Sequence, residues 1–188
     1  NVTARMDTPY VRQYVEDREI TAWFLLDLTP SMDFGLAQHV KQTVLVDFVT
    51  TLARLLTRHG NRVGAIFYGN QVEHTIPARG GRTQVLRLIN DLLKRPPLRQ
   101  SGFTDLTPLL LAGLHTLKKR SLVFLISDFI SAPGWDRPLR LLSQRHELLA
   151  VRLWDPREVE LPDIGPVIME DAETGEQLYV DTHDKQFR

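Results

Sequence analysis

The sequence contains no cysteine among its 188 residues. A chain without cysteine cannot form disulfides, bind a metal through thiolates or use a cysteine nucleophile, and its composition fits a reducing cytoplasm. The sequence also lacks a net charge, because 23 basic residues balance 23 acidic ones. This balance disfavours binding to nucleic acid or to an anionic membrane surface.

Long apolar runs are absent as well. No stretch approaches the roughly 20 apolar residues of a membrane-spanning helix, and no signal peptide is recognisable at the start. We therefore expect a cytoplasmic protein with no membrane span within this chain. The chain begins at Asn1 without a methionine, which leaves room for an anchor upstream of it.

What the sequence does have is a hydrophobic content of 43%, enough for a sizeable core. Apolar runs alternate with amphipathic stretches, which predicts an α/β fold: a Rossmann-like, doubly wound and mostly parallel sheet. Predicted strands cover about 20–27, 62–68, 71–76, 121–127 and 147–153, and predicted helices cover about 36–59, 83–93, 107–117 and 135–145.

Turn residues refine this prediction at three places. Gly69-Asn70 is a two-residue hairpin signal, so the segment after it should return antiparallel to the strand before it. Residues 77–82 contain proline and two glycines, which predicts a loop. Thr107-Pro108 predicts a helix start, with Thr107 as the N-cap and proline at the first helical position.

The composition changes at both ends of the predicted α/β domain, 20–154. Residues 1–19 are polar and charged, which predicts an extended or irregular lead-in that packs on the sheet edge. Residues 155–188 are rich in proline and glycine, with short β segments near 167–169 and 177–180. We expect this tail to be a β-rich C-terminal extension packed on the same domain.

The central stretch of the chain is the first predicted strand and the residues that follow it. The apolar run ends at Asp27, and two hydroxyl side chains follow at every second position, Thr29 and Ser31. Open α/β sheets place their ligands at the carboxyl ends of their strands. Because carboxylate and hydroxyl oxygens are hard ligands, we expect them to bind a hard divalent cation such as Mg²⁺.

Two further polar positions can join this group. The second strongly buried strand also ends in a carboxylate, Asp128, and the loop before Thr107 carries Thr104. If the two strands are neighbours, all five oxygen-bearing side chains share one crevice. The alternative is a strand-end turn, in which Asp27, Thr29 and Ser31 satisfy backbone N–H groups and bind no ligand.

This pattern resembles the metal-ion-dependent adhesion site of von Willebrand factor A (vWA) domains. That site has the order Asp-x-Ser-x-Ser, then a threonine in a second loop, then an aspartate after a later buried strand. Thr29 stands in the place of the usual first serine and keeps the hydroxyl. The corresponding residues here are Asp27, Thr29, Ser31, Thr104 and Asp128.

Nearly the whole chain is similar, in order, to one bacterial branch of these domains, the domain-of-unknown-function 58 (DUF58) family. Relatives in that family usually extend further at both ends, so we expect this chain to be trimmed. The matching segments are Tyr10 to Glu19, Asp27 to Gly35, Asn61 to Phe67, Thr104 to Leu106, Ser127 to Phe129, the helix at Trp135, Asp155 to Glu158 and Glu170 to Gly175.

The resemblance implies a non-enzymatic, vWA-like module. It implies that Mg²⁺, or another hard cation such as Mn²⁺ or Ca²⁺, binds to the five residues and that an acidic side chain of a protein partner completes the coordination. Members of the family are thought to act beside MoxR-type AAA+ ATPases as adaptors. By that resemblance, a MoxR-type ATPase is the expected partner.

A second class of function competes with this one. Asp27 at a strand end could be the nucleophile of a Mg²⁺-dependent phosphotransferase or phosphatase of the haloacid-dehalogenase type. That class normally has a second aspartate two residues later as general acid, and Thr29 occupies that position here. A serine hydrolase is disfavoured, because Ser31 does not lie in a Gly-x-Ser-x-Gly motif.

Overall fold

The computed structural model describes residues 19–33, 40–96, 103–155, 165–170 and 176–183. Within these ranges the strands and helices follow one another in the order that the sequence pattern predicts. The strands are β1 Thr21–Asp27, β2 Arg62–Tyr68, β3 Val72–Arg79, β4 Leu122–Ser127, β5 Glu147–Arg152, β6 Pro166–Glu170 and β7 Gln177–Asp181. The helices are α1 Val40–Arg58, α2 Arg82–Lys94, α3 Thr107–Thr116 and α4 Asp136–Arg145, and a 3-10 turn covers Pro30–Asp33.

A five-stranded sheet forms the centre of the fold, with the strand order β3-β2-β1-β4-β5. β1 is parallel to both of its neighbours, β4 is parallel to β5, and β3 is antiparallel to β2. Leu26 pairs with Phe67 on one side and with Ile126 on the other. The carboxyl ends of β1 and β4 therefore meet at one edge of the sheet, and the predicted topology is confirmed.

Both faces of β1 are buried, which explains why the strand reads as an unbroken apolar run. Phe24 and Leu26 belong to a cluster that packs against α1 and α2, whereas Trp23 and Leu25 belong to a second cluster with α3 and α4. Phe24 also stacks on Phe124 of β4, with ring centroids 5.3 Å apart. Packing on both faces fixes the position of the strand end, where Asp27 lies.

The predicted loop at 77–82 is wrong in its first half, because β3 continues through Pro77 to Arg79. β3 is an edge strand, where a missing proline N–H removes no hydrogen bond to a neighbouring strand. The hairpin itself is confirmed, but the connection spans Gly69 to Gln71, and the Gly69 N–H donates to the Gln71 carbonyl at 3.0 Å. Pairing of β2 with β3 contains two register shifts, which two-residue hairpin rules cannot anticipate.

The start of α3 also differs from the prediction. Leu106 occupies the cap position and Thr107 is already the first helical residue. The Thr107 N–H is satisfied by Asp105 Oδ1 at 2.8 Å, so the carboxylate two residues earlier takes the role that we assigned to the threonine. A short polar side chain on either side of a helix start can serve as the acceptor, and sequence alone does not decide between them.

The C-terminal segment contains the predicted short strands. β6 and β7 form an antiparallel pair, with Ile168 opposite Tyr179. Residues 1–18 of the predicted lead-in at 1–19 and the predicted start of α1 at Leu36 lie outside the described residues. The division of the chain at residues 19 and 155 stays a prediction.

None of the helices in the described ranges has both the length and the apolar composition needed to cross a membrane.

Candidate functional site

The end of β1 carries a chain of three hydrogen-bonded side chains. Asp27 is fully buried, and its Oδ1 accepts from the Thr29 hydroxyl at 2.7 Å and from the Thr29 N–H at 3.1 Å. The Thr29 and Ser31 hydroxyl oxygens lie 3.1 Å apart. Because the Thr29 proton points to Asp27, Ser31 donates to Thr29 in this arrangement. The alternating positions that the sequence singles out are therefore brought together.

The end of β4 joins this chain through a residue that the sequence analysis missed. The Ser127 hydroxyl donates to Asp27 Oδ2 at 2.6 Å and accepts from the Phe129 N–H at 2.9 Å. Ser127 is the last residue of β4 and follows Ile126, the partner of Leu26 in the sheet register. Its place next to the predicted ligand Asp128 was the signal that could have identified it.

Asp128 lies on the same edge and faces the loop of Ser31. Its Oδ1 accepts from the Ile130 N–H at 2.9 Å, and its Oδ2 lies 3.5 Å from the ammonium nitrogen of Lys41. The same ammonium donates to the Ser31 carbonyl at 3.3 Å. Asp128 and the Ser31 loop are therefore both within reach of one nitrogen atom, as a shared crevice requires. Lys41 is a second residue that the sequence analysis missed.

The turn after Asp128 has an uncommon backbone. Phe129 has a φ of 62°, the left-handed region that side chains other than glycine rarely adopt. Such a conformation costs on the order of 1 kcal/mol or more and persists where the surroundings fix it. Here the Phe129 N–H is bound to Ser127 and its ring packs against Trp135, with centroids 5.8 Å apart. These contacts hold the carboxylate of Asp128 at the strand end.

Thr104 lies on the loop that adjoins Asp128. It is buried, and its carbonyl accepts from the Ala132 N–H at 2.8 Å. A second bond joins the two loops, because the Leu106 N–H donates to the Ser131 hydroxyl at 3.0 Å. Four of the five predicted residues thus form one connected group, and Thr104 is held on the neighbouring loop.

The site is rich in negative charge. Burial raises the pKa of Asp27 above its usual range, hydrogen bonds from Ser127 and Thr29 oppose that rise, and the charge of Asp128 adds to it. Burial, followed by the charges of Asp105 and Asp27, raises the pKa of Tyr68 to about 12. A cation placed beside Asp27 would stabilise the charged carboxylate that burial disfavours.

The donor set fits a hard cation with a hydroxyl-based shell. The described ranges contain no group of three or more histidine, cysteine, aspartate or glutamate side chains that could hold a metal ion. Two carboxylates and two hydroxyls nevertheless converge at the sheet edge, and Mg²⁺ accepts such oxygens together with water. Asp27 and Asp128 each also accept a hydrogen bond from the N–H group two residues later. The alternative interpretation, a strand-end turn in which side chains satisfy backbone N–H groups, therefore describes part of their role.

Comparison with known proteins gives a family without an assigned function. The family model described as "Protein of unknown function DUF58" matches residues 1–188. Uncharacterized proteins of Mycobacterium tuberculosis and Mycobacterium bovis are 37% identical over 174 residues, which is 93% of this chain and 55% of each relative. An uncharacterized protein of Mycobacterium avium is 40% identical over 100 residues. The chain spans about half the length of the first two relatives.

Solved structures share the fold at low sequence identity. The conserved hypothetical protein BatB from Bacteroides thetaiotaomicron has a TM-score of 0.60 at 12% identity, over 85% of this chain and 75% of that one. An aerotolerance-related membrane protein from Bacteroides fragilis has a TM-score of 0.60 at 14% identity, over 87% of this chain and 82% of that one. These likenesses extend to the architecture alone.

Proposed function

This chain belongs to the DUF58 family, and we propose that it is a non-enzymatic module that binds a hard divalent cation, Mg²⁺ above all, and through it a protein partner. The observation that carries the proposal is the hydrogen-bonded group Ser127–Asp27–Thr29–Ser31, with Asp128 facing it across the sheet edge. Residues 100 positions apart in sequence bring their side-chain oxygen atoms together there.

The role of each residue follows from its donor atom. The Thr29 and Ser31 hydroxyls are neutral ligands that would bind the ion directly. Asp27, Asp128 and Thr104 would bind it directly or through water, since Mg²⁺ keeps several waters in protein sites. Neutral ligands leave the ion electrophilic, so one position stays available for a carboxylate from the partner.

The surface beside these residues supports a role in protein binding. Phe103 precedes Thr104 and is 82% exposed, and Ile130 lies two residues after Asp128 and is 53% exposed. Large apolar side chains at such exposure beside a polar site are typical of contact surfaces. We infer that they pack against the partner around the ion.

The partner that we propose is a MoxR-type AAA+ ATPase, for which this chain would act as a cytoplasmic adaptor. The family resemblance supports this partner. Direct binding between the two purified proteins, with Mg²⁺ and then with chelator, tests the assignment. Binding that is unaffected by chelator would argue against a metal-dependent adaptor.

The geometry favours this function over the phosphotransferase. Asp27 is fully buried, Oδ1 accepts two hydrogen bonds and Oδ2 accepts a third. A carboxylate in that state is poorly placed to attack a phosphorus atom. Incubation with p-nitrophenyl phosphate and Mg²⁺ separates the two classes. Turnover that is lost in Asp27→Asn would favour the enzyme.

The metal site itself is tested by isothermal titration with Mg²⁺. Ser31→Ala and Thr29→Val remove one hydroxyl each at nearly constant volume, and Ser143→Ala removes an exposed hydroxyl on α4 as the matched control. We expect one ion per chain for wild type and for the control, and an affinity reduced about tenfold or more in the other two, as for loss of a supporting ligand contact. Equal heats in all four folded proteins would contradict the proposal.

A further inference from the structure

Lys41 is a buried cation inside the candidate site. Its side chain is 3% exposed and that of its partner Asp128 is 1% exposed, with the ammonium nitrogen 3.5 Å from Asp128 Oδ2. The same nitrogen donates to the Ser31 carbonyl at 3.3 Å. Lys41 thus contacts one residue from each of two of the three segments that carry the proposed metal ligands.

The position of Lys41 is unfavourable without that site. An ammonium group is costly to bury unless it is paired and hydrogen-bonded. The Asp128 carboxylate and the Ser31 carbonyl stabilise the ammonium in this buried position.

A divalent cation and Lys41 would seek the same oxygens. Asp27 and Asp128 are near enough for their charges to interact, and Lys41 supplies one positive charge against these two carboxylates. A hard cation bound at Asp128 and the Ser31 loop would bring two more positive charges next to the ammonium. The divalent ion and the Lys41 ammonium would then contact the same carboxylate, and two cations that close repel each other strongly where water is largely excluded.

We propose that Lys41 is a built-in counter-cation of the site, which competes with the divalent ion for Asp128 and leaves that carboxylate when the ion binds. This inference rests on the proposed metal-binding function. It adds that metal affinity is set partly by the chain's own ammonium group. It also couples the ion to α1, because Lys41 has to change its contacts when Asp128 turns to the metal.

The test compares Mg²⁺ affinity in wild type, Lys41→Met and Lys119→Met, by isothermal titration and by the rise in Tm on adding Mg²⁺. Lys119 is exposed in the segment before β4, so its replacement removes the same charge away from the site. We expect Lys41→Met to bind Mg²⁺ more tightly, on the order of tenfold, within the range of 5- to 150-fold typical of coupling between sites. Without metal, its Tm should fall, because Asp128 loses its cation.

The outcomes separate this inference from the function on which it rests. If neither wild type nor Lys41→Met binds Mg²⁺ although both are folded, the proposed metal site fails. If both proteins bind Mg²⁺ with equal affinity, or if Lys41→Met binds it more weakly, the proposed metal site is retained. The proposed competition between Lys41 and the ion for Asp128 is then contradicted. Should Lys41→Met fail to fold, Lys41→Gln keeps a hydrogen-bond donor without the charge, and the same comparison of affinities applies to it.

Discussion

The Ser127 hydroxyl donates a 2.6 Å hydrogen bond to Asp27 Oδ2 and so joins the carboxyl ends of β4 and β1. Both residues are fully buried, and Asp27 is the residue on which the candidate site is centred. Hydrogen bonds to a charged, buried group are short and stronger than those between neutral groups. This contact therefore contributes both to the stability of the sheet edge and to the charge state of Asp27.

Replacement of this serine should destabilise the fold. We expect Ser127→Ala to lower the free energy of unfolding by about 1.5–3 kcal/mol, because one carboxylate oxygen of Asp27 then stays buried without a donor. Urea denaturation without metal measures the change. Ser121→Ala is the control: it removes a hydroxyl that donates to the Lys119 carbonyl at the other end of β4 and should cost only about 0.5–1.5 kcal/mol. An equal loss of unfolding free energy in Ser127→Ala and Ser121→Ala would show that the hydrogen bond to Asp27 is no stronger than an ordinary one.

The exposed side chain of Ile130 should matter for partner binding and not for metal binding. We expect Ile130→Ser to weaken the binding of a purified MoxR-type ATPase by about 1 kcal/mol or more, while the Mg²⁺ titration stays unchanged. Leu55→Ser on α1 is a matched control, since Leu55 is 52% exposed and lies in the half of α1 remote from the site. If both variants lose the same affinity for the partner, or if neither loses any, the assignment of Ile130 to the contact surface is contradicted.

His146 should make stability depend on pH. It is 5% exposed, and neither ring nitrogen has a hydrogen-bond partner in the part of the chain that the structure describes. Burial, and then the charge of Arg145, lowers the pKa of His146 below its ordinary value of 6.5. The unfolded chain therefore binds the proton more readily. The neutral His146 side chain makes its full contribution to stability above pH 6.5. That contribution declines as the pH falls through 6.5 toward the pKa of His146 in the folded protein.

Urea denaturation between pH 5 and 8 measures this dependence. The slope for one such group is at most about 1.4 kcal/mol per pH unit. His146→Gln should flatten the acid side of the profile, whereas His59→Gln, which alters an exposed ring at the end of α1, should retain the wild-type profile. An unchanged acid limb in His146→Gln would show that other groups cause the decline.

Gly64 in β2 has no room for a side chain. A Cβ there would lie 2.9 Å from the Ile76 carbonyl oxygen and 2.9 Å from the ring of Trp23. Because the first of these neighbours is backbone, we expect Gly64→Ala to destabilise the protein by about 1–3 kcal/mol. Gly80→Ala meets only the Asn61 carbonyl oxygen at 3.6 Å and should change stability by less than about 0.5 kcal/mol. Thermal unfolding of Gly64→Ala and Gly80→Ala measures these two changes in stability.

Much of the fold could be predicted because its signals are local. The unbroken apolar run of β1 predicts a strand buried on both faces, and the observed packing of Phe24 and Leu25 in opposite clusters confirms it. The continuation of β3 through Pro77 could not be predicted in this way. Whether a strand lies at the edge of a sheet depends on the whole topology, and only an edge tolerates proline there.

The site could be predicted in part for a related reason. Asp27, Thr29 and Ser31 are close in sequence, and Asp128 follows a buried strand, so strand order alone brings them together. Ser127 has only its place beside Asp128 as a signal, and Lys41 has none. A serine that ends an apolar strand and a lysine in an amphipathic helix are common, and their importance comes from contacts with Asp27 and Asp128 that only the three-dimensional arrangement provides.

The most direct measurement is the anomalous difference density of crystals grown with Mn²⁺, a hard ion with the preferences of Mg²⁺ and a measurable anomalous signal. We expect one peak at the edge of the sheet, within bonding distance of the Thr29 and Ser31 hydroxyls, with the Lys41 ammonium moved away from Asp128. Density showing no ion at these residues at millimolar Mn²⁺, with the Lys41–Asp128 pair intact, would contradict the proposed metal site.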